Sequence, residues 1–185
     1  MKILIHTCCA DCLLKMVDSL KNESVEIVGY FYNPNIHPRS ESLTRLKAAQ
    51  KICEENKIKL VVPDWSPKEY FNQIKPFPDP SLDRAGRCIE CWKLRLGKTF
   101  EYAKEKGFEM VSSTLVTSHY QNKEKIVEIG KNLEKEFGIK FLVPKEVTSD
   151  LKTSGFYKQN YCGCCYSLVE AWTKKFDNEE TNEKK

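Results

Sequence analysis

Nowhere in this chain does an apolar stretch approach the roughly 20 residues that a membrane-spanning helix requires, so no membrane association is expected. Residues Met1 to His6 carry only a short apolar run before cysteines begin, so no secretory signal is read and a cytoplasmic protein is expected. Charge of one sign is lacking too. Thirty Lys and Arg stand against 26 Asp and Glu, and the net +4 permits contact with nucleic acid without requiring it. Histidine is scarce: none of the three lies in an H-x-x-x-H doublet of the zinc type. No repeat, low-complexity linker or composition break divides the chain. Residues 1–176 are therefore read as one α/β domain and 177–185 as a polar, disordered tail. A domain of this length buries a full core without covalent staples, which excludes the small disulfide scaffold.

What the chain has is cysteine, in three tight clusters far apart in sequence. Seven of the nine form the leading ligand set: Cys8, Cys9 and Cys12; Cys88 and Cys91; Cys162 and Cys164. Thiolates gathered from three distant segments suit a soft metal centre. A structural zinc takes four ligands, so seven sulfurs make neither one such site nor two complete ones. A four-iron cluster also takes at most four protein ligands, which leaves sulfurs or Asp11 for a second metal or a redox pair. Cys53 extends the stripe Leu43, Leu46, Ala49 of a helix and is read as a buried apolar residue. Cys165 follows Cys164 directly, and successive helical positions point about 100° apart, so it stays outside the ligand set.

Hydrophobic period alternates short β-rich runs with amphipathic helices. Strands are predicted over Lys2 to His6, Val25 to Tyr32, Lys59 to Val62, Glu109 to Thr114 and Ile139 to Val143. Helices are predicted to begin near Ala10, Ser40, Pro67, Cys88 and Asn122, with a last one from about Cys162 to Phe176. Such alternation predicts a Rossmann-like domain, a parallel sheet of about five strands with helices on both faces. Ligands then collect beyond the carboxyl ends of the strands, where the cysteine loops converge. The irregular segment from Lys75 to Arg87, with Pro76, Pro78 and Pro80, reads as an active-site loop.

The first loop, Thr7-Cys8-Cys9-Ala10-Asp11-Cys12, has the layout of the Ser-Gly-Gly-x-Asp-Ser loop of ATP-dependent tRNA-modifying enzymes, and the fold is expected to be similar to that ATP-pyrophosphatase, or HUP, type. Both glycines are cysteine here. Side chains at those positions obstruct phosphate, while the helix N-terminus beside them favours bound thiolate. Cys88 and Cys91 share one helix face, which Arg95 continues; the opposite face runs Trp92, Leu96, Phe100 and Ala103, a core stripe. His6 is read as a strand residue, and His37 and His119 as loop residues near the site.

These residues together resemble the QueH-type epoxyqueuosine reductases. The resemblance rests on Cys8-Cys9-Ala10-Asp11-Cys12, on Tyr32-Asn33-Pro34-Asn35-Ile36-His37-Pro38 and on Arg87-Cys88-Ile89-Glu90-Cys91-Trp92-Lys93-Leu94-Arg95-Leu96. It extends through Ser113-Thr114-Leu115-Val116-Thr117-Ser118-His119 and Tyr157-Lys158-Gln159-Asn160-Tyr161-Cys162-Gly163-Cys164, in this order. Trp92 stands where the family pattern has tyrosine.

The resemblance implies an oxidoreductase that removes the epoxide oxygen of epoxyqueuosine at the wobble position of tRNA, the last step of queuosine formation, without cobalamin. It implies a [4Fe-4S] cluster and an additional iron. Cys8, Cys9, Cys88 and Cys91 are assigned to the cofactor; Asp11, Cys12, Cys162 and Cys164 join them as metal-binding residues. Asp11, Cys12 and His119 are assigned to catalysis, and Tyr32, Asn33, Asn35, His37, Arg87, Arg95 and Tyr157 to substrate. The partners implied are tRNA bearing epoxyqueuosine and an electron donor such as a ferredoxin or flavodoxin. Arg39, Arg45, Arg84, Arg87, Lys93, Arg95 and Lys158, interleaved with Tyr32, Trp92, Tyr120 and Tyr157, are expected to hold and stack an anticodon loop. Two other readings remain: a tRNA sulfur-transfer enzyme using ATP, and a non-catalytic carrier of metal or clusters.

Overall fold

The computed structural model describes residues 1–77, 84–118, 121–144, 157–158 and 160–182. Five strands, β1 (Lys2–His6), β2 (Glu26–Tyr30), β3 (Lys59–Val61), β4 (Met110–Ser113) and β5 (Lys140–Phe141), form one parallel sheet in the order β3-β2-β1-β4-β5. Between and after them lie α1 (Ala10–Leu20), α2 (Arg39–Glu55), α3 (Pro67–Gln73), α4 (Arg84–Glu105), α5 (Lys123–Phe137) and α6 (Cys165–Asn182). The predicted α/β fold and its five strands are both present, each strand lying within its predicted run.

β1 is central. Its Ile3, Leu4 and Ile5 are fully buried, as in a strand covered on both faces. The chain runs outward from β1 to β2 and β3, then returns to place β4 on the other side of β1. Right-handed crossovers therefore put α1 and α2 on one face and α4 and α5 on the other, and each pair packs together. The stripe Trp92, Leu96, Phe100, Ala103 is buried as predicted. Each such large side chain contributes about 1.5–3 kcal/mol by leaving water.

Three boundaries and one face depart from the sequence reading. α4 begins at Arg84, so Cys88 and Cys91 sit a turn inside it rather than at its start. The apolar stripe that signalled the helix begins only after Arg87, so the polar first turn was invisible to it. α6 begins at Cys165, not Cys162, because Gly163 adopts φ +122°, outside the helical region. It runs past Phe176 to Asn182, through most of the stretch read as tail. In α2 the inward face is Ser42, Arg45, Ala49, Ile52 and Cys53, while Leu43 is exposed. Burial of Cys53 is as predicted; the stripe through Leu43 is not, because a buried arginine occupies the face that hydrophobicity alone assigns to leucine.

Candidate active site

Strand order reverses between β1 and β4, and the first cysteine loop lies at that switch point. Thr7 ends β1 by donating its N–H to the Tyr30 carbonyl at 2.8 Å, and α1 opens three residues later. Cys8 and Cys9 bring their sulfurs to 3.9 Å, and Cys12, one turn into α1, is buried with them. Thr114, just past β4, holds Cys8 twice: its Oγ1 accepts the Cys8 N–H at 3.1 Å and donates to Cys8 Sγ at 3.3 Å. Hydrogen bonds from Cys12 and Cys9 hold the Cys8 thiol well below its ordinary pKa against the opposing effect of burial, and the Arg95 charge adds to them. The same bonds to Cys8 and Cys9 push Cys12 well above. One sulfur is thus supported as thiolate by two neighbours held towards the protonated form. Asp11 is paired to the buried Lys15, Oδ2 to Nζ at 2.9 Å.

Arg95 ties this nest to the second. Buried at 3 % exposure, it donates from Nη2 to Asn33 Oδ1 at 2.9 Å and from Nε to His6 Nε2 at 3.3 Å. Asn33 in turn donates to the Thr7 carbonyl at 2.8 Å. Burial, then the Arg95 charge, push His6 down to about 3, so its ring is neutral at physiological pH. Its Nε2 faces both Arg95 Nε at 3.3 Å and the Tyr32 carbonyl at 3.2 Å, and its Nδ1 lies 2.9 Å from Ser113 Oγ. The Arg95 charge also favours the thiolate of Cys91.

The second nest joins α4 to the loop before α6. Cys91 packs with Tyr70, Ile74 and Cys164. Cys162 and Cys164 place their sulfurs 3.8 Å apart, and Ser167, in the first turn of α6, lies 3.0 Å from Cys162 Sγ and donates its N–H to Cys164 Sγ at 3.4 Å. Hydrogen bonding from Cys162 and from Ser167 holds Cys164 at about 5 despite its burial, with Tyr70 assisting. Burial pushes Cys91 up to about 12. The loop itself is carried by the segment after β2: His37 donates its N–H to the Gly163 carbonyl at 2.8 Å, and the Tyr161 hydroxyl donates to the His37 carbonyl at 2.6 Å.

Cys88, Cys91, Cys162 and Cys164 line one small cavity with Asn35, Tyr70, Arg87 and Arg95. It adjoins an open cleft of about 500 Å³ between α4, α6 and the start of α5, walled by Cys88, Cys162 and Cys164, with Trp92, Gln121, Arg87 and Glu170. Trp92 donates from Nε1 to Gln121 Oε1 at 2.7 Å, while Arg87 lies 4.2 Å over the Tyr166 ring and 3.4 Å from Glu170 Oε1. A second cleft of about 570 Å³ lies at the opposite end of the sheet, among Met1, Asp18, Met110 and Lys140, and carries no thiol. Among the described residues, no three Cys, His, Asp or Glu side chains converge as a ready-made metal site.

Four of the seven predicted thiols thus share one cavity, and the other three form a nest linked to it through Arg95. Asn35 is buried with its Oδ1 unpaired. The Tyr32 hydroxyl donates to Glu69 Oε2 at 2.6 Å, the His37 ring stacks on Phe71 at 5.1 Å, and the exposed Tyr157 donates to Glu41. His119 and Tyr120 lie outside the described residues, as does part of the segment from Lys75 to Arg87. Arg45 and Arg95 are not placed to grip an RNA backbone: both are buried and bonded inside the protein, while Arg87, equally buried and paired with Glu170, faces the cleft. Tyr70, Thr114 and Ser167 touch the thiols and His6 supports them through Arg95; none of the four was predicted as a site residue. A signal that could have found Thr114 is its place at the strand-to-turn junction, facing the first loop across the switch point.

A family model described as epoxyqueuosine reductase QueH matches residues 3–170. Among curated proteins, the epoxyqueuosine reductase QueH of Dehalococcoides mccartyi is 35% identical over 180 residues, covering 94% of this chain and 96% of its own. That of Thermotoga maritima is 32% identical over 179 residues, covering 91% of each. A solved structure described as a predicted subunit of tRNA methyltransferase from Methanocaldococcus jannaschii superposes with a TM-score of 0.51 at 14% identity, covering 78% of this chain and 68% of its own, a likeness of fold. With thiols from two loops and one helix gathered at the carboxyl edge of such a fold, and the family model spanning nearly all of it, the chain belongs to the epoxyqueuosine reductase QueH family.

Proposed function

We propose that this chain reduces epoxyqueuosine to queuosine in the tRNA anticodon, independently of cobalamin. The observation that carries the reading is the cleft walled by Cys88, Cys162 and Cys164, large enough for a modified nucleoside and continuous with the thiol cavity. Removing the epoxide oxygen leaves an alkene and consumes two electrons and two protons, with the oxygen leaving as water.

The donor set fits iron-sulfur chemistry: soft sulfurs in two nests, with Cys8 and Cys164 already held towards thiolate. Cys8, Cys9, Asp11, Cys12, Cys88, Cys91, Cys162 and Cys164 are the side chains that would hold a [4Fe-4S] cluster and an additional iron. Bound there, such centres supply single electrons from a ferredoxin- or flavodoxin-like donor and a Lewis acid for the epoxide oxygen. The chain's own residues then bind and orient. Trp92, fixed by Gln121, forms one wall for an extruded base, and Arg87, braced by Tyr166 and Glu170, brings positive charge to the cleft. Buried Arg95 balances negative charge on the sulfurs.

The ATP-dependent alternative loses support from the same geometry. The Cys8 N–H that a phosphate would need is already bonded to Thr114, and cysteine side chains fill the loop. The test is anaerobic: iron-loaded, chemically reduced protein is given tRNA bearing epoxyqueuosine, and digested nucleosides are weighed by mass spectrometry. Loss of one oxygen without added cobalamin is the expected result. An unchanged nucleoside would overturn the reductase reading and favour a cluster carrier.

A further inference from the structure

Arg45 is where α2 meets the cysteine loop before α6. It is 1 % exposed in α2, with its Nε 2.7 Å from Glu41 Oε1 one turn earlier. Nη1 donates to the Cys162 carbonyl and Nη2 to the Tyr161 carbonyl, each at 3.2 Å. The Tyr161 ring lies 5.3 Å from the guanidinium, and Gly163 rests against it: a Cβ there would stand 3.1 Å from both Nη1 and Ile36 Cγ1. The two carbonyls belong to a segment without helix or strand partners, where buried backbone groups must find other donors. A planar fork serves both at once while its third edge stays on Glu41; a lysine ammonium has no such shape.

We propose that Arg45 is the positioning residue of the third cysteine loop. Anchored by Glu41, it holds the Tyr161 and Cys162 carbonyls so that the Cys162 and Cys164 thiols line the cavity beside Cys91. The proposal rests on the assignment of those thiols to the reductase centre. It also sets Arg45 apart from a role in gripping RNA, since no phosphate reaches a guanidinium buried and bonded in this way.

The test uses the full chain as Arg45→Gln, Arg45→Lys and the double variant Glu41→Gln with Arg45→Leu, which removes both buried charges together. Circular dichroism and protection of the Cys53 thiol report the fold. In the folded variants, hydrogen exchange at the His37 amide, bonded to the Gly163 carbonyl, is expected to accelerate about tenfold or more while Ile5 is unchanged. Iron retained after anaerobic reconstitution and turnover should fall together, Arg45→Lys recovering only part of either. Affinity for an anticodon stem-loop and its salt dependence should stay at the parent's level. Weaker, less salt-dependent stem-loop binding with unchanged His37 exchange would overturn the proposal in favour of an RNA contact. A folded double variant with parental exchange and iron content would overturn it outright. If the parent protein fails to convert epoxyqueuosine, the reductase reading falls, while exchange and iron content still judge Arg45.

Discussion

Cys91 and Cys164 pack in the same cluster, yet their thiols are driven in opposite directions, to about 12 by burial and to about 5 by donated hydrogen bonds. Cys164 is therefore held towards the thiolate by bonds from Cys162 and Ser167, and Cys91 towards the protonated thiol by burial. In reduced, metal-free protein at pH 7, iodoacetamide should modify Cys164 well before Cys91, as read by peptide mass spectrometry; equal rates would refute the split. Cys53 provides the contrast. It faces the core from α2, burial pushes it up to about 11, and Cys53→Ala should cost about 1 kcal/mol in denaturant melts while leaving iron content and turnover intact. Cys91→Ala should abolish both. At this scale the sulfurs were legible because clustered cysteine is rare and has few uses. Arg45 and Arg95 were misread, since arginine signals solvent in a sequence and only three-dimensional pairing shows it buried.

Helix α5 lies on the last strand through a gap made by Gly130, where an added Cβ would come within 2.3 Å of the Phe141 ring. The contact is ring against helix backbone, with little room for either to yield. Gly130→Ala should destabilise by about 1–3 kcal/mol, lowering the midpoint of a thermal melt by several degrees. α6 presents the opposite case. Its described contacts come from its first turns, through Tyr166, Ser167 and Glu170, while Val169 and Trp172 stand exposed. A chain ending at Phe176 should keep the parent's melting midpoint and turnover; loss of either would give the final turns a role. Strand cores and helix order were legible from period because burial on two faces leaves unbroken apolar runs. Ends were not: a polar first turn as in α4, or one glycine as in the third loop, shifts a boundary without disturbing any hydrophobic pattern.

Across the whole molecule, the parallel sheet makes three distant segments neighbours by bringing every strand's exit to one edge. Convergence of the clusters was thus legible from topology alone. Their division into two nests was not, because it depends on where Thr114, Tyr70 and Ser167 place individual sulfurs. Seven thiols exceed what one cluster uses, so anaerobically reconstituted protein should carry acid-labile sulfide and more iron than one four-iron cluster accounts for, by colorimetric analysis. Iron stopping at four per chain would argue against the additional centre.

The guanidinium of Arg95 always carries charge, and its hydrogen-bond partners His6 and Asn33 are both neutral. The Cys8 thiolate on one side and, once a metal deprotonates it, Cys91 on the other are the anions it faces. The interior is therefore electrically complete only while sulfur stays anionic. Capping those thiols with a neutral group, or joining them as a disulfide, strands a buried cation, which is strongly destabilising. Exhaustively methylated protein should accordingly melt below the free-thiol form, and the metal-loaded form above both. A molecule that has lost its centre would then unfold and reach proteases sooner, a form of self-inspection written into one arginine.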